Sequence, residues 1–327
     1  MPVRQPIVCV LGHIDSGKTS LLDKIRKSSV QAREVGGITQ HIGASYFPVE
    51  TLRQLSRPLL KQLKGRITIP GLLVIDTPGH EAFVNLRKRG GAAADIAILV
   101  IDILRGFEAQ TYECVEILKA RKTPFHVAAN KVDRIPGWVS KPDQPFATSY
   151  QAQDTYVRQD LDEHLYNIIG TFSSQGFRAD RYDKITDFTR TIAIVPTSAK
   201  TGEGIPELLT TLIGLTQEYM RKQLMVTKGP AKVTVLEVKE EPGLGVTINA
   251  IIYDGVLQKG DTIVVGGRDK PITAKVRAVL LPKPLDEIRD PRDKFSSVES
   301  VSAASGVKVA APNLEGVIAG APLYVVP

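Results

Sequence analysis

Eight residues near the start of the chain, Gly12-His13-Ile14-Asp15-Ser16-Gly17-Lys18-Thr19, have the spacing G-x-x-x-x-G-K-[ST]. That pattern suits a loop that wraps a polyphosphate. Glycines let the backbone turn its N–H groups toward the oxygens, Lys18 adds a point charge, and Thr19 can offer its hydroxyl to Mg²⁺. Ser20 follows directly and is counted with them as nucleotide-binding. An apolar run, Ile7–Leu11, precedes the loop and reads as a buried strand, and residues 20–25 read as a helix. Strand, loop and helix in that order are the context that such a loop requires.

Three further segments narrow the chemistry. Asp76-Thr77-Pro78-Gly79-His80 follows a second apolar run. An aspartate at a strand end can hold Mg²⁺ directly or through water, a glycine lets its N–H approach the terminal phosphate, and His80 can reach an attacking water. Asn130-Lys131-Val132-Asp133 follows the run Phe125–Ala129. The Asp133 carboxylate can accept from the N1–H and exocyclic N2–H of guanine, a donor pair that adenine lacks, and buried polar groups left unpaired make that choice sharp. The Lys131 stem can lie along the base, and Asn130 can tie this segment to the phosphate loop. Ser198-Ala199-Lys200 can supply a backbone N–H to guanine O6. Between the phosphate loop and Asp76 lies Gly36-Gly37-Ile38-Thr39-Gln40-His41-Ile42-Gly43. Two glycines make a hinge there, and Thr39 can complete the Mg²⁺ shell when a γ-phosphate is present, which is the logic of an order–disorder switch.

The elements that must position these residues are legible as alternating apolar runs and helical patterns over 1–224. Runs at Ile7–Leu11, Leu72–Ile75, Ile96–Ile101, Phe125–Ala129 and Thr191–Val195 are nearly continuous, as strands buried on both faces should be. Ile205–Leu224 reads as a helix with Pro206 in its first turn, and Val157, Leu161, Leu165, Ile168 and Phe172 mark another at helical spacing. Pro136 to Ser149 reads as a Pro-rich loop that packs locally around Trp138, the sole tryptophan. Residues 225–230 read as a linker. From 231 to 327, short β patterns separated by Glu241–Gly245, Asp254-Gly255, Lys259–Asp261 and Gly266-Gly267 predict a small all-β barrel, with Pro282–Lys294 as an exposed loop. The expected fold class is therefore an α/β nucleotide-binding domain with a mostly parallel sheet, followed by a β-barrel.

Composition sets the bounds. A 327-residue chain with 43% hydrophobic residues can fill two or three cores. No run approaches bilayer length, no secretory signal opens the chain, and the two cysteines, Cys9 and Cys114, lie in or beside apolar segments, which fits a reducing cytoplasm and no membrane. Residues 226–327 carry 13 basic and 12 acidic residues and the rest carry 29 and 23, so nearly all of the net +7 lies on the first domain. A basic balance favours a polyanionic partner such as RNA.

Taken together, GHIDSGKT, GGITQHIGA, DTPGH, NKVD and TSAK resemble the translational GTPases. GGITQHIGA resembles the universal initiation factor family called two in bacteria and five-B in archaea and eukaryotes, and the long Asp133–Ser198 segment and the wording of Asp254–Gly267 resemble its archaeal and eukaryotic branch. The resemblance covers essentially the whole chain and implies a P-loop GTPase domain followed by a barrel of the elongation-factor domain-two type. Because the chain stops just after the strand pattern Leu323–Val326, it resembles the first two domains of a longer factor. The resemblance implies GTP hydrolysis to GDP and phosphate with Mg²⁺, stimulated by the ribosome, in a factor that promotes joining of ribosomal subunits. It implies contacts with both subunits and their rRNA, initiator tRNA bound only through further domains, and action as a monomer. It casts His80 as the residue that orients the hydrolytic water, Ile14 and Ile38 as an apolar gate, and Asp15 as a ligand for a monovalent cation, Na⁺ or K⁺. The alternatives are an initiator-tRNA carrier subunit, disfavoured by the lack of a cysteine pair for a zinc knuckle, a GTP-dependent metabolic enzyme subunit, and a module that only holds nucleotide.

Overall fold

The computed structural model describes residues 3–26, 43–59, 67–76, 94–227, 229–241, 243–282 and 295–326. Seven strands form one sheet in the first half: β1 (Ile7–Gly12), β2 (Gly43–Pro48), β3 (Gly71–Asp76), β4 (Ile96–Asp102), β5 (Phe125–Asn130), β6 (Ala179–Arg181) and β7 (Ile192–Pro196). Their order is β2-β3-β1-β4-β5-β7-β6. All neighbours are parallel except β2, which runs antiparallel to β3 with Gly43 opposite Asp76.

The continuous apolar runs are explained by what covers each face. From β1, Val8 and Val10 enter a core with Leu21, Leu22 and Ile25 of α1 (Lys18–Arg26) and Leu208 and Leu212 of α6 (Ile205–Tyr219). Cys9 and Leu11 point the other way, toward Val115 and Leu118 of α3 (Ala109–Arg121) and Leu161, Leu165 and Phe172 of α5 (Thr155–Ser174). Each such side chain, fully buried, contributes about 1.5–3 kcal/mol. Both cysteines are buried and free, as small hydrophobes.

Several boundaries differ from the sequence reading. The helix expected to reach Leu224 ends at Tyr219. Met220 and Leu224 still fill the same core, but through a turn, because the Leu224 carbonyl accepts from Arg4 N–H (2.9 Å) and Met225 bridges to Val3. Thr191 lies just outside β7. The Pro-rich loop gives way to a short helix, α4 (Phe146–Gln151), before Ser149. Strand β2 and helix α2 (Val49–Leu55) were not among the elements expected.

The second half is all β. Strands β8 (Lys232–Glu241) and β9 (Gly245–Asp254) form a hairpin, each ten residues long where short strands were expected. Around them lie β11 (Thr262–Val265), β12 (Ile272–Lys275), β13 (Ala278–Leu281), β14 (Ser296–Val298), β16 (Ser305–Ala310) and β17 (Pro322–Val326), in the order β12-β11-β17-β8-β9-β16-β13-β14. A separate pair joins β10 (Val256–Gln258) to β15 (Ser300–Ser302). Val235, Ala250 and Ile252 face the interior of this unit, whereas Leu236, Ile251 and Ala304 face outward and meet Ile7, Ala44, Leu73 and Ile75 of the first sheet. The barrel thus covers the part of the sheet face that α3 and α5 leave open. Gly306 has no side chain to obstruct this contact: a Cβ there would stand 3.1 Å from Ala44 Cβ. Of the expected exposed loop Pro282–Lys294, all but Pro282 lies outside the described residues.

Candidate functional site

The phosphate loop connects β1 to α1 at the end of a strand flanked by β3 and β4. Its glycines are required by space as well as by conformation. Gly12 has φ +146°, and a Cβ there would stand 2.2 Å from the Val100 carbonyl oxygen. Asp15 adopts a left-handed conformation, φ 64°, and is exposed, while Ser16, Lys18 and Thr19 are buried. Lys18 Nζ donates to the carbonyls of Gly12 (3.0 Å) and His13 (2.7 Å), so the ammonium lies inside the loop. Burial pushes its pKa below the ordinary lysine value, and Asp76 is the strongest influence in the opposite sense.

The apex of the loop is held by the start of α3. Ile14 N–H donates to Gln110 Oε1 (2.8 Å), leaving the Ile14 side chain 44% exposed. His13 Nε2 lies 3.5 Å from Glu108 Oε1, and Glu108 caps α3 reciprocally with Thr111. Asp76 ends β3, paired with Val10 of β1, and is 2% exposed. A Thr19 hydroxyl and an Asp76 carboxylate, both buried beside the lysine, are hard oxygen donors. They fit Mg²⁺, which takes one or two protein oxygens and fills its shell with phosphate and water. Among the described residues there is no cluster of three or more His, Cys, Asp or Glu that could hold a metal ion.

The two segments expected to face the base converge on the same loop. Asn130 is wholly buried. Its Nδ2 donates to the Ser16 carbonyl (2.9 Å), and its Oδ1 accepts from Ala199 N–H (2.9 Å). One side chain therefore fastens the phosphate loop to Ser198-Ala199-Lys200. Lys131 stands in the left-handed region, φ 72°, and its Nζ reaches back to the Asp15 carbonyl (2.5 Å) and to Asp102 Oδ2 (2.7 Å). Ser198 Oγ donates to Asp133 Oδ1 (2.6 Å). A cleft of about 980 Å³ opens between these groups, bounded by Gly17, Ser20, Lys131, Asp133, Ala199 and Lys200.

Of the residues singled out in the sequence, Gly12 to Ser20, Asp76, Asn130, Lys131, Asp133 and Ser198 to Lys200 therefore lie around one loop and one cleft. Ile38, Thr39, Gly79 and His80 fall outside the described residues. Several participants were not foreseen. Asp102 holds Lys131, and its only signal was a charge at the end of the apolar run Ile96–Ile101. Gln110 braces Ile14. Lys24 Nζ pairs with Asp143 Oδ1 (3.0 Å) at the rim of the cleft. Trp138 does more than pack: besides stacking on Phe146 (6.4 Å between centroids), it donates its indole N–H to Glu203 Oε1 (3.3 Å).

The chain is similar to known proteins over most of its length. Residues 3–218 match the family model described as the elongation factor Tu GTP binding domain. A protein of Methanopyrus kandleri named "Probable translation initiation factor IF-2" is 60% identical over 325 residues, which are 99% of this chain and 54% of that protein. A protein of the same name from Staphylothermus marinus is 58% identical over 326 residues, covering 99% and 54%. The chain thus spans about half the length of the curated relatives it matches. The crystal structure of GDP-bound aIF5B from Aeropyrum pernix superposes with a TM-score of 0.89 at 56% identity, covering 99% of this chain and 54% of that one. The apo elongation factor SelB of Methanococcus maripaludis, at 19% identity and a TM-score of 0.61, shares the fold. The chain belongs to the translational GTPases built on the elongation factor Tu GTP-binding domain, in the initiation factor two/five-B branch of archaeal type.

Proposed function

We propose that this chain binds GTP and GDP with Mg²⁺ and hydrolyses GTP as the switching part of a cytoplasmic translation initiation factor that promotes ribosomal subunit joining. The observation that carries the reading is the Asn130 bridge, which joins the phosphate loop to the guanine-side loop through two 2.9 Å hydrogen bonds. A guanine nucleotide has its base and its phosphates at the two ends of such a bridge.

On this reading the backbone from Gly12 to Ser20 and the Lys18 ammonium hold the phosphates. Asp133 accepts from the guanine N1–H and N2–H, Lys131 lies along the base, and Ser198 to Lys200 face O6. Thr19 and Asp76, the latter through water, would hold Mg²⁺, with Thr39 joining in the GTP state and Gly79 contacting the γ-phosphate. The bound ion supplies neutralisation of charge on the β- and γ-oxygens. His80 orients the attacking water once the ribosome has placed it, with Ile14 and Ile38 forming the apolar gate and Asp15 offering a site to Na⁺ or K⁺. The division into a G domain at 1–224, a linker at 225–230 and a barrel at 231–327 belongs to the same proposal, as does action as a monomer. Among the described residues no helix is long and apolar enough to cross a membrane.

Without an activator, such a site turns over at roughly 10⁻⁴ to 10⁻² per second. Co-sedimentation with ribosomes in a non-hydrolysable GTP analogue, and GTP hydrolysis with and without ribosomes, test the proposal. Binding to ribosomes only in the GTP-like state and a large stimulation lost in His80→Ala are expected. Turnover near one per second without ribosomes, or equal sedimentation with GDP, would contradict it.

A further inference from the structure

The carboxylate of Glu203 is completely buried, yet it lies outside the phosphate loop and outside the base-reading triplet. It accepts three hydrogen bonds from three places. Oε1 takes the Trp138 indole N–H (3.3 Å) and the Lys141 backbone N–H (2.9 Å), and Oε2 takes the Thr201 hydroxyl (2.5 Å). A carboxylate buried this deeply is tolerated only where donors replace water. The arrangement fastens residues 138–141, from the long segment after Asp133, onto the loop that follows Ser198.

The bonds continue toward the cleft. Thr201 N–H donates to Ser198 Oγ (3.0 Å), and that hydroxyl has one hydrogen, which it gives to Asp133 Oδ1 (2.6 Å). The Ser198 N–H in turn donates to the Glu203 carbonyl (2.9 Å), so both ends of the loop close on the same residue. On the other side Asp143 N–H donates to the Thr201 carbonyl (2.9 Å). The direction of the Ser198 hydroxyl, and with it the orientation of the Asp133 carboxylate, is set by a loop that Glu203 holds in place.

We propose that Glu203 is a positioning residue for guanine selection, acting through Thr201 and Ser198 on Asp133, with Trp138 as part of the same support. The inference rests on the reading of Asp133 as the acceptor for the guanine N1–H and N2–H. It assigns a selective role to a side chain that never touches the base. Bonds in series transmit a displacement, so loosening the Glu203 end should cost most for a ligand that uses both donors of the base edge.

Inosine diphosphate tests this, because its base keeps N1–H and lacks the 2-amino group. GDP, inosine diphosphate and ADP are titrated into the wild-type chain, Glu203→Gln and Trp138→Phe. Glu203→Gln keeps the volume but turns one acceptor into a donor that faces donors. It should weaken GDP about tenfold and inosine diphosphate far less, collapsing the preference between them. Trp138→Phe removes one donor, keeps the ring beside Phe146, and should move the ratio the same way by about threefold. It also keeps the test open if Glu203→Gln does not fold. A support that is structural only would lower thermal stability and leave the ratio of the two affinities untouched, and an unchanged ratio in either folded variant overturns the proposal. A wild-type chain that does not prefer GDP over ADP would instead overturn the reading of Asp133, and this inference with it.

Discussion

Gly17 and Asn130 approach so closely that a Cβ on the glycine would stand 2.3 Å from the asparagine Nδ2. Gly17 also has φ +95°, which L side chains rarely adopt. The Asn130 amide occupies the space a side chain would need, and it uses that position to hold the Ser16 carbonyl. Gly17→Ala must therefore displace Asn130 and strain the loop together. It should weaken GDP binding at least about a hundredfold, from about 3 kcal/mol of lost hydrogen bonding and backbone strain. Calorimetric titration checks this, and an unchanged affinity would show that the glycine is dispensable.

Asp133→Asn replaces a group that only accepts with one that both donates and accepts. The neighbouring Ser198 hydroxyl can still donate to the amide oxygen, so the loop should survive. The preference should move from guanine toward xanthine, which carries an oxygen at position 2, by about a hundredfold or more in the ratio of affinities. Competition between GTP and xanthosine triphosphate measures it, and retention of guanine preference would remove Asp133 from the role proposed.

Lys24 and Asp143 meet at 3.0 Å over the rim of the cleft, with the aspartate side chain 71% exposed. Gly202 lies beneath them: a Cβ there would stand 2.3 Å from Asp143 Oδ1 and 2.6 Å from Lys24 Cε. A pair so exposed contributes at most about 1 kcal/mol and is screened by salt. Asp143→Ala should speed GDP release by about threefold in low salt, and the difference from wild type should vanish near 1 M salt. Release of a fluorescent GDP into excess unlabelled nucleotide reads both. A difference that persists in high salt would point to loop packing in place of the ion pair.

His126 of β5 is buried, with Nδ1 3.2 Å from Thr211 Oγ1 on α6, and burial pushes its pKa down to about 4. The unfolded chain has the ordinary value near 6.5. Between these values the unfolded state binds a proton that the folded state refuses. Its contribution to stability is therefore full above about pH 6.5 and falls by about 1.4 kcal/mol per pH unit toward pH 4. Glu207, one turn before Thr211, is pushed upward by burial, and its contribution runs the other way, present at low pH and lost as pH rises through its folded value. His126→Gln isolates the histidine: from pH 6.5 to 4.5 it should lose roughly 2 to 3 kcal/mol less stability than wild type. Urea unfolding at each pH tests it, and parallel curves would exclude His126 as the cause.

Much of the site was legible because short polar loops at the ends of unbroken apolar strands bring distant motifs to one edge of a sheet. Asn130 was read as a tie to the phosphate loop, and its amide does make that bond. Glu203 was not read at all. In sequence it is one charge between two glycines, and its burial exists only because Trp138, Lys141 and Thr201 converge on it. Asp102, Gln110 and the Lys24–Asp143 pair were invisible for the same reason, since each depends on contacts between segments far apart in the chain. β2 escaped notice because Gly43–Pro48 has no clean alternation. Its pairing with β3 and the contact of Ala44 with the barrel define it. The helix boundary at Tyr219 was misplaced because Met220 and Leu224 continue the apolar spacing after the backbone has turned.

The barrel rests on β2 and β3 through Ala44, Leu73 and Ile75, with Gly306 set directly against Ala44. β2 begins where the segment containing Thr39 ends, and β3 ends at Asp76, where the segment containing His80 begins. The segments that contain Thr39 and His80 thus adjoin, in sequence, the two strands against which the barrel packs. Because the contact is closely packed, a shift of β2 at Ala44 would be met at once by the barrel strand that carries Gly306. The missing methyl at Gly306 lets the two surfaces meet, and a bulkier residue there would act as a wedge between the barrel and β2.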